Sequence, residues 1–274
     1  MIKALAVELG FPEEAILSLS ADYQKMEGQM DAARAALYAE GDYKEMIRAL
    51  AEEVGVHPYA ADMVFALYCA LPLREKYREK GLPDTLFIEN MEDLRFKLME
   101  CKRVYDVWGS FVAVWFRGFY LMKRFKLGRL QYEQIGLKYN YRHLKEGDSV
   151  LKCHIPSCGP VTRESVLDSL KKAYEFYGYE GLMPVVCNSW MLYPPHYEVY
   201  PEGGNMRSFF ELFEILSTKE DPENKDLWRI TNRMDDVIPE DTTLQRRFKA
   251  YLEAGNCMGS GYGILLFDGQ KIIK

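Results

Sequence analysis

The chain has 274 residues, 48% of them apolar and 28% charged, enough for a substantial core in one large domain or two ordinary ones. Its 35 basic and 41 acidic side chains leave a net charge of −6, which argues against a nucleic-acid binder that relies on bulk charge. Glu8, Glu13 and Glu14 break the apolar start, so no signal peptide is expected, and no stretch is long and charge-free enough to span a bilayer. The six cysteines are scattered without a CxxC, which predicts free thiols and a cytoplasmic location.

The first half reads as helical. Residues 12–39 mix strong helix formers with recurrent apolar positions, and residues 41–56 follow with Met46, Leu50 and Val54 at four-residue spacing along one face. Pro58 opens the next helical stretch, and Pro72 is expected to kink or divide it. More helix follows over 83–109. The apolar window 107–122, which contains Arg117, reads as a buried core helix.

The texture changes near residue 125. Leu130, Tyr132 and Gln134 alternate with Gln131, Glu133 and Ile135, a β pattern punctuated by Gly128 and Gly136. "SVLKCHIP" reads as a strand and "TRESVLDSLKKAYEFYG" as a helix with Val166, Leu170, Ala173, Tyr174 and Tyr177 on one face. "MPVVCNSWML" is a strand apolar enough for burial on both faces. "NMRSFFELFEILS" reads as a helix, "DLWRITNRM" as a strand, and "TTLQRRFKAYLEAG" as a helix capped by Thr242 or Thr243; "GYGILLFDGQKIIK" closes the chain as a strand or hairpin.

Between the strand "SVLKCHIP" and the following helix lies Pro156-Ser157-Cys158-Gly159-Pro160. A Gly-containing loop feeding a helix N-terminus suits an anion, because the first helical N–H groups have no intrahelical partner and the macrodipole favours negative charge. Thr162 can cap the helix. The donors available would be the N–H groups of Ser157, Cys158, Gly159, Val161, Thr162 and Arg163, Pro160 having none. An ordinary βα turn with a good cap is the more frequent explanation of the same residues. Strand alternation points Lys152 and His154 one way and Cys153 and Ile155 the other; it groups Cys187, Ser189 and Met191 on one face and Asn188 and Trp190 on the other. A zinc site drawing on Cys153, His154, Cys158 and Cys187 conflicts with that alternation, so no metal is expected. A covalent intermediate on Cys187 competes with a simple buried thiol. The Gly-rich run 255–263 lacks the Lys-Ser/Thr ending of a nucleotide-binding loop and reads as a close-packed turn.

Taken together, "GRLQYE", "HIP…G", "C-x-SW-x-L", "NMR" and "T-x-LQRR", in order over roughly 150 residues, resemble the GNAT-like C-terminal domain of bacterial acyltransferase domain-containing proteins, where it follows a helical N-acyltransferase domain. The resemblance implies an α+β chain: an all-helical N-terminal domain over 1–124, then a GNAT-like mixed α/β domain with a splayed central sheet over 125–274. It implies acetyl-CoA or another acyl-CoA as co-substrate, lying between the fourth and fifth strands, here counted as "SVLKCHIP" and "VVCNSWML", with its pyrophosphate on the loop above. Two departures stand out. The loop has a single glycine, where the usual GNAT pattern has two small positions, and Asn188 stands where many relatives have histidine.

The implied reaction moves an acyl group from CoA to an amine of a small-molecule or peptide acceptor. It needs a base, for which His154 is first candidate and Glu133 second, and a proton for the leaving thiolate, for which Ser189 or Tyr193 is available. A backbone N–H on the strand before the loop would polarise the thioester. Asn188, Trp190, Asn205 and Arg207 are the candidate substrate contacts. The competing expectation is a catalytically silent GNAT-like module that binds CoA, another ligand or a protein partner. Neither nucleic acid nor membrane is an expected partner.

Overall fold

The computed structural model describes every residue except Met1, Glu40, Asp236 and Lys274. It divides into two compact units, Met1–Arg124 and Phe125–Lys274. The first is helical and the second is a mixed sheet flanked by helices, the α+β arrangement expected.

The helical unit runs through α1 (Ile2–Glu8), α2 (Glu13–Met26), α3 (Asp31–Tyr38), α4 (Tyr43–Val54), α5 (Pro58–Ala70), α6 (Leu73–Glu79), α7 (Asp84–Met91) and α8 (Asp93–Tyr105). Helix α5 is its core, with Met63, Val64, Leu67, Cys69 and Ala70 fully buried. Pro58 sits in its first turn, and His57 caps it by accepting the Tyr59 N–H at 3.1 Å. Pro72 divides α5 from α6 as expected. In α4 the buried stripe is Tyr43, Ile47, Leu50 and Ala51, whereas Met46 is exposed. The window 107–122 is not the buried helix its apolarity suggests. It holds a 3₁₀ turn, Ala113–Phe116, and the short α9 (Arg117–Tyr120). The reason is a close backbone docking: the Ser110 N–H donates to Tyr59 O at 2.8 Å, and a Cβ on Gly109 would fall 2.4 Å from the Tyr59 carbonyl. Among the described residues no single helix is long and apolar enough to cross a membrane.

In the rest of the chain, β1 (Arg124–Leu127), β2 (Leu130–Gly136) and β3 (Ser149–His154) precede α10 (Arg163–Phe176). Then come β4 (Met183–Ser189), α11 (Asn205–Phe210), β5 (Glu214–Asp221), α12 (Trp228–Thr231), α13 (Thr243–Glu253), β6 (Met258–Phe267) and β7 (Ile272–Ile273). The sheet order is β1-β2-β3-β4-β6-β5, with β7 on β6. β2 pairs antiparallel with β3 out to Gln131↔His154, and β4 pairs antiparallel with β6 out to Ser189↔Gly261. Between them β3 and β4 run parallel, and their ladder has only two registered pairs, Leu151↔Val185 and Lys152↔Val186. The carboxyl ends of these two strands therefore leave each other while remaining paired on their outer sides. That is the splay expected of the sheet, and it faces the loop that follows β3.

Three expectations are corrected. The apolar run at 209–216 is not one helix: α11 ends at Phe210, and the charged segment from Glu214 forms the edge strand β5, whose Lys and acidic residues suit an unpaired rim. "DLWRITNRM" is not a strand; Trp228–Thr231 form a helical turn that Asn232 ends in the left-handed region at φ 56°. "SVLKCH" and "MPVVCNS" are the third and fourth strands among the described residues, not the fourth and fifth, and the latter stops at Ser189, where Trp190–Leu192 turn into a 3₁₀ helix. The "T-x-LQRR" motif is a capping box: Thr242 and Gln245 bond each other's backbone N–H, and Gln245 also donates to Ile230 O at 3.1 Å.

Candidate active site

The alternation of β2 sends its side chains to two different tasks. Leu130 and Tyr132 turn toward α10, where the buried Ser169 hydroxyl accepts the Leu130 N–H at 3.0 Å, lies 3.0 Å from the Tyr132 hydroxyl and donates to Leu127 O. Cys153 and Cys187 share that face, and the Cys187 hydrogen bond, then burial, push the Cys153 thiol up from its ordinary value. Both cysteines are buried. Burial shields the Cys187 sulfur from a substrate, which disfavours a covalent intermediate on it.

Gln131 and Glu133 occupy the opposite face together with Lys152 and His154. His154 lies directly across from Gln131 and leans diagonally to Glu133, with Nε2 2.8 Å from Oε1. The Lys152 ammonium is 3.8 Å from the same carboxylate oxygen. The side chains of His154 and Glu133 are 11% and 18% exposed. The two candidate bases are thus one unit, in which the carboxylate fixes the imidazole orientation.

Two residues beyond His154 the loop begins. Its carbonyls turn toward a residue that sequence reading passed over, Arg129 in the turn before β2. The Arg129 guanidinium donates to Pro156 O at 2.9 Å, Gly159 O at 2.6 Å and Pro160 O at 3.0 Å. Burial lowers its pKa from the ordinary value. Gly159 adopts φ +116°, a conformation open to glycine, with empty space where a Cβ would point. Thr162 caps α10 by accepting the Ser165 N–H at 3.1 Å. Among the described residues, no acceptor takes the N–H groups of Cys158, Gly159, Val161, Arg163 and Glu164. A cation therefore stands behind the loop while a row of backbone donors lies uncommitted at the start of a fourteen-residue helix.

The other candidates are distributed. Asn188, exposed near the end of β4, shares the face of His154 by register. Ser189 points to the opposite face and accepts the Met191 N–H at 3.1 Å. Trp190 falls after the end of the strand, so the alternation that paired it with Asn188 does not reach it. It lies in an aromatic cluster with His196, Tyr200 and Phe248, and its carbonyl accepts from His196 Nδ1 at 2.9 Å. Tyr193 is buried with its ring 4.9 Å from His196, and burial raises its pKa. Asn205 begins α11 without capping it; Gly204 is the cap residue. Arg207 lies 4.2 Å over the Tyr197 ring and pairs with the exposed Glu198 and Glu202 at 3.5 and 3.8 Å.

Comparison with known proteins bears on both units. Residues 124–265 match the family model of the GNAT-like C-terminal domain, and residues 2–122 that of the N-acyltransferase N-terminal domain. A search of curated proteins gives no match. Among solved structures, the chain is similar to an acyltransferase mutant in complex with octanoyl-CoA (TM-score 0.75), an acyltransferase in complex with decanoyl-CoA and teicoplanin (0.73), and one in complex with CoA and 10C-teicoplanin (0.75). Each is 20% identical, and each match covers 95% of this chain and 86% of the other.

Proposed function

The chain belongs to the family that joins an N-acyltransferase N-terminal domain to a GNAT-like C-terminal domain, and from that premise we propose that it is an acyl-CoA-dependent N-acyltransferase. The observation that carries the reading is the juxtaposition at the end of β3 of two things: a loop braced by Arg129, with its N–H row uncommitted, and the His154–Glu133 pair two residues upstream. The loop donors and the start of α10 would hold the CoA pyrophosphate, with Arg129 adding charge from behind. The opening between β3 and β4 suits the extended arm of CoA. The similar structures that hold octanoyl-CoA and decanoyl-CoA support a medium-chain acyl group ahead of acetyl, and those that hold teicoplanin support a peptide-like or small-molecule acceptor.

In the reaction, the amine nitrogen attacks the thioester carbonyl and the C–S bond breaks. His154, its imidazole held by Glu133, takes the amine proton. Ser189, on the strand face opposite His154, is assigned to relay a proton from solvent to the departing thiolate, while the imidazolium returns its proton to solvent: the Ser189 hydroxyl oxygen accepts from the Met191 N–H, and its own proton is uncommitted among the described residues. Tyr193, packed on His196, ranks behind it. The six unpaired cysteines support a reducing, cytoplasmic setting.

The test is a transfer assay with octanoyl-CoA and a panel of amine acceptors, on the wild-type chain and on Gly159→Val. Acyl transfer that the loop variant weakens through KM supports the reading. Binding of octanoyl-CoA with no transfer to any amine, and no change on His154→Asn, favours the catalytically silent module.

A further inference from the structure

Several buried polar atoms without a hydrogen-bond partner belong to side chains anchored through another atom, as His196 bonds Trp190 O through Nδ1 and Arg207 pairs through its terminal nitrogens, and others are single tyrosine hydroxyls, those of Tyr38, Tyr43 and Tyr262. Gln131 differs. It is 0% exposed, and among the described residues neither its Oε1 nor its Nε2 has a hydrogen-bond partner. A whole carboxamide buried and unmatched is costly, and native proteins rarely keep one without a ligand or water for it. Its position is specific as well. Gln131 is the direct cross-strand neighbour of His154 and shares a strand face with Glu133, so it lies beside the His154–Glu133 pair at the end of that face nearer the loop at Pro156.

Resting on the acyl-CoA reading, we infer that Gln131 is a substrate-binding residue whose carboxamide pairs with an amide of the pantetheine arm of acyl-CoA. A carboxamide offers one donor and one acceptor side by side, which complements another amide and is wasted on a phosphate or an alkyl chain. A ligand anchored by phosphates at the loop and by its thioester near His154 brings the part of its arm next to the thioester to the strand face that Gln131 shares with His154. The amide two carbons from the thioester sulfur is the polar group it brings there. With Arg129 and Glu133, Gln131 makes one stretch of β2 and its preceding turn serve the whole length of the ligand: brace of the phosphate loop, anchor of the arm, orienter of the base.

Isothermal titration of the full chain decides the matter, using wild type, Gln131→Met and Gln131→Glu against three probes: octanoyl-CoA, octanoyl-pantetheine and the adenosine bisphosphate fragment of CoA. Both variants are expected to bind octanoyl-CoA and octanoyl-pantetheine roughly tenfold more weakly, the worth of one or two hydrogen bonds, and to bind the adenosine fragment as wild type does. Equal affinity of wild type and variants for octanoyl-CoA overturns the inference and leaves the transferase reading standing. Equal weakening on all three probes gives Gln131 a structural role and also overturns it. Absence of octanoyl-CoA binding by the wild-type chain removes the acyl-CoA reading and the inference with it.

Discussion

The two faces of β2 and β3 carry similar numbers of polar side chains and treat them in opposite ways. Facing α10, Tyr132 and Ser169 close a network in which Ser169 meets a backbone N–H, a backbone carbonyl and the Tyr132 hydroxyl. On the other face the Gln131 carboxamide has no hydrogen-bond partner among the described residues, and the titratable side chains of Glu133, Lys152 and His154 gather in one place. The first face is what stability asks for, every buried polar group matched. The second concentrates the unmatched and titratable groups beside the splay of the sheet, as functional sites do. Polar content alone does not separate the two; completeness of hydrogen bonding does.

Substitutions can break that comparison. The largest stability loss is expected on the α10 face: Tyr132→Ala removes a fully buried ring and should cost about 4 kcal/mol in chemical denaturation. A loss below about 1 kcal/mol would mean that this face is not the structural one. On the other face, His154→Asn should lower turnover of octanoyl-CoA with a responsive amine by roughly a hundredfold, with a melting temperature close to wild type. Glu133→Gln should act in the same direction, through the same imidazole. A marked drop in melting temperature with retained turnover would invert the assignment of the two faces.

The helical unit supplies an independent check on the cost of an unmatched polar group. Burial raises the Asp62 carboxyl from 3.8 to about 6, against the opposing pull of Arg48 and Lys44. A carboxyl whose folded pKa lies above its unfolded value weakens the fold once ionised, so the penalty is absent below 3.8 and complete above about 6. Asp62→Asn should therefore stabilise the chain by on the order of 2 kcal/mol at neutral pH and lose that advantage progressively as the pH falls from about 6 to about 4. A pH-independent difference would contradict it. The smallest expected effect is Arg129→Ala, which should weaken octanoyl-CoA binding about tenfold by titration while leaving octanoyl-pantetheine binding unchanged.

Much of this architecture was legible in the sequence. Alternation at 130–135 located β2 and sorted its side chains, and Thr162 and Thr242 were readable as caps because capping needs only local residues. Where packing overrode local pattern, reading failed. Apolar spacing around Phe209, Phe210 and Phe213 suggested a long helix, yet the chain is needed as the edge strand beside β6. Residues 107–122 were apolar enough for a helix, but Ser110 and Gly109 dock on the backbone of α5. His154 and Glu133 were found because imidazole and carboxylate advertise acid–base chemistry. Arg129 and Gln131 were missed because nothing local distinguishes a surface arginine from one bound to three carbonyls thirty residues away, or a solvated glutamine from a buried unmatched one. The signal lay in "GRLQYE" itself, whose first, third and fifth side chains after the glycine all reach the site.

The most direct test of the account is calorimetric titration of the wild-type chain with octanoyl-CoA and with octanoyl-pantetheine, which lacks the nucleotide and its phosphates. The account predicts saturable binding of both, with octanoyl-CoA the tighter ligand because only it engages the loop at Pro156–Pro160. Equal affinity for the two, or no binding of either by folded protein, would contradict it.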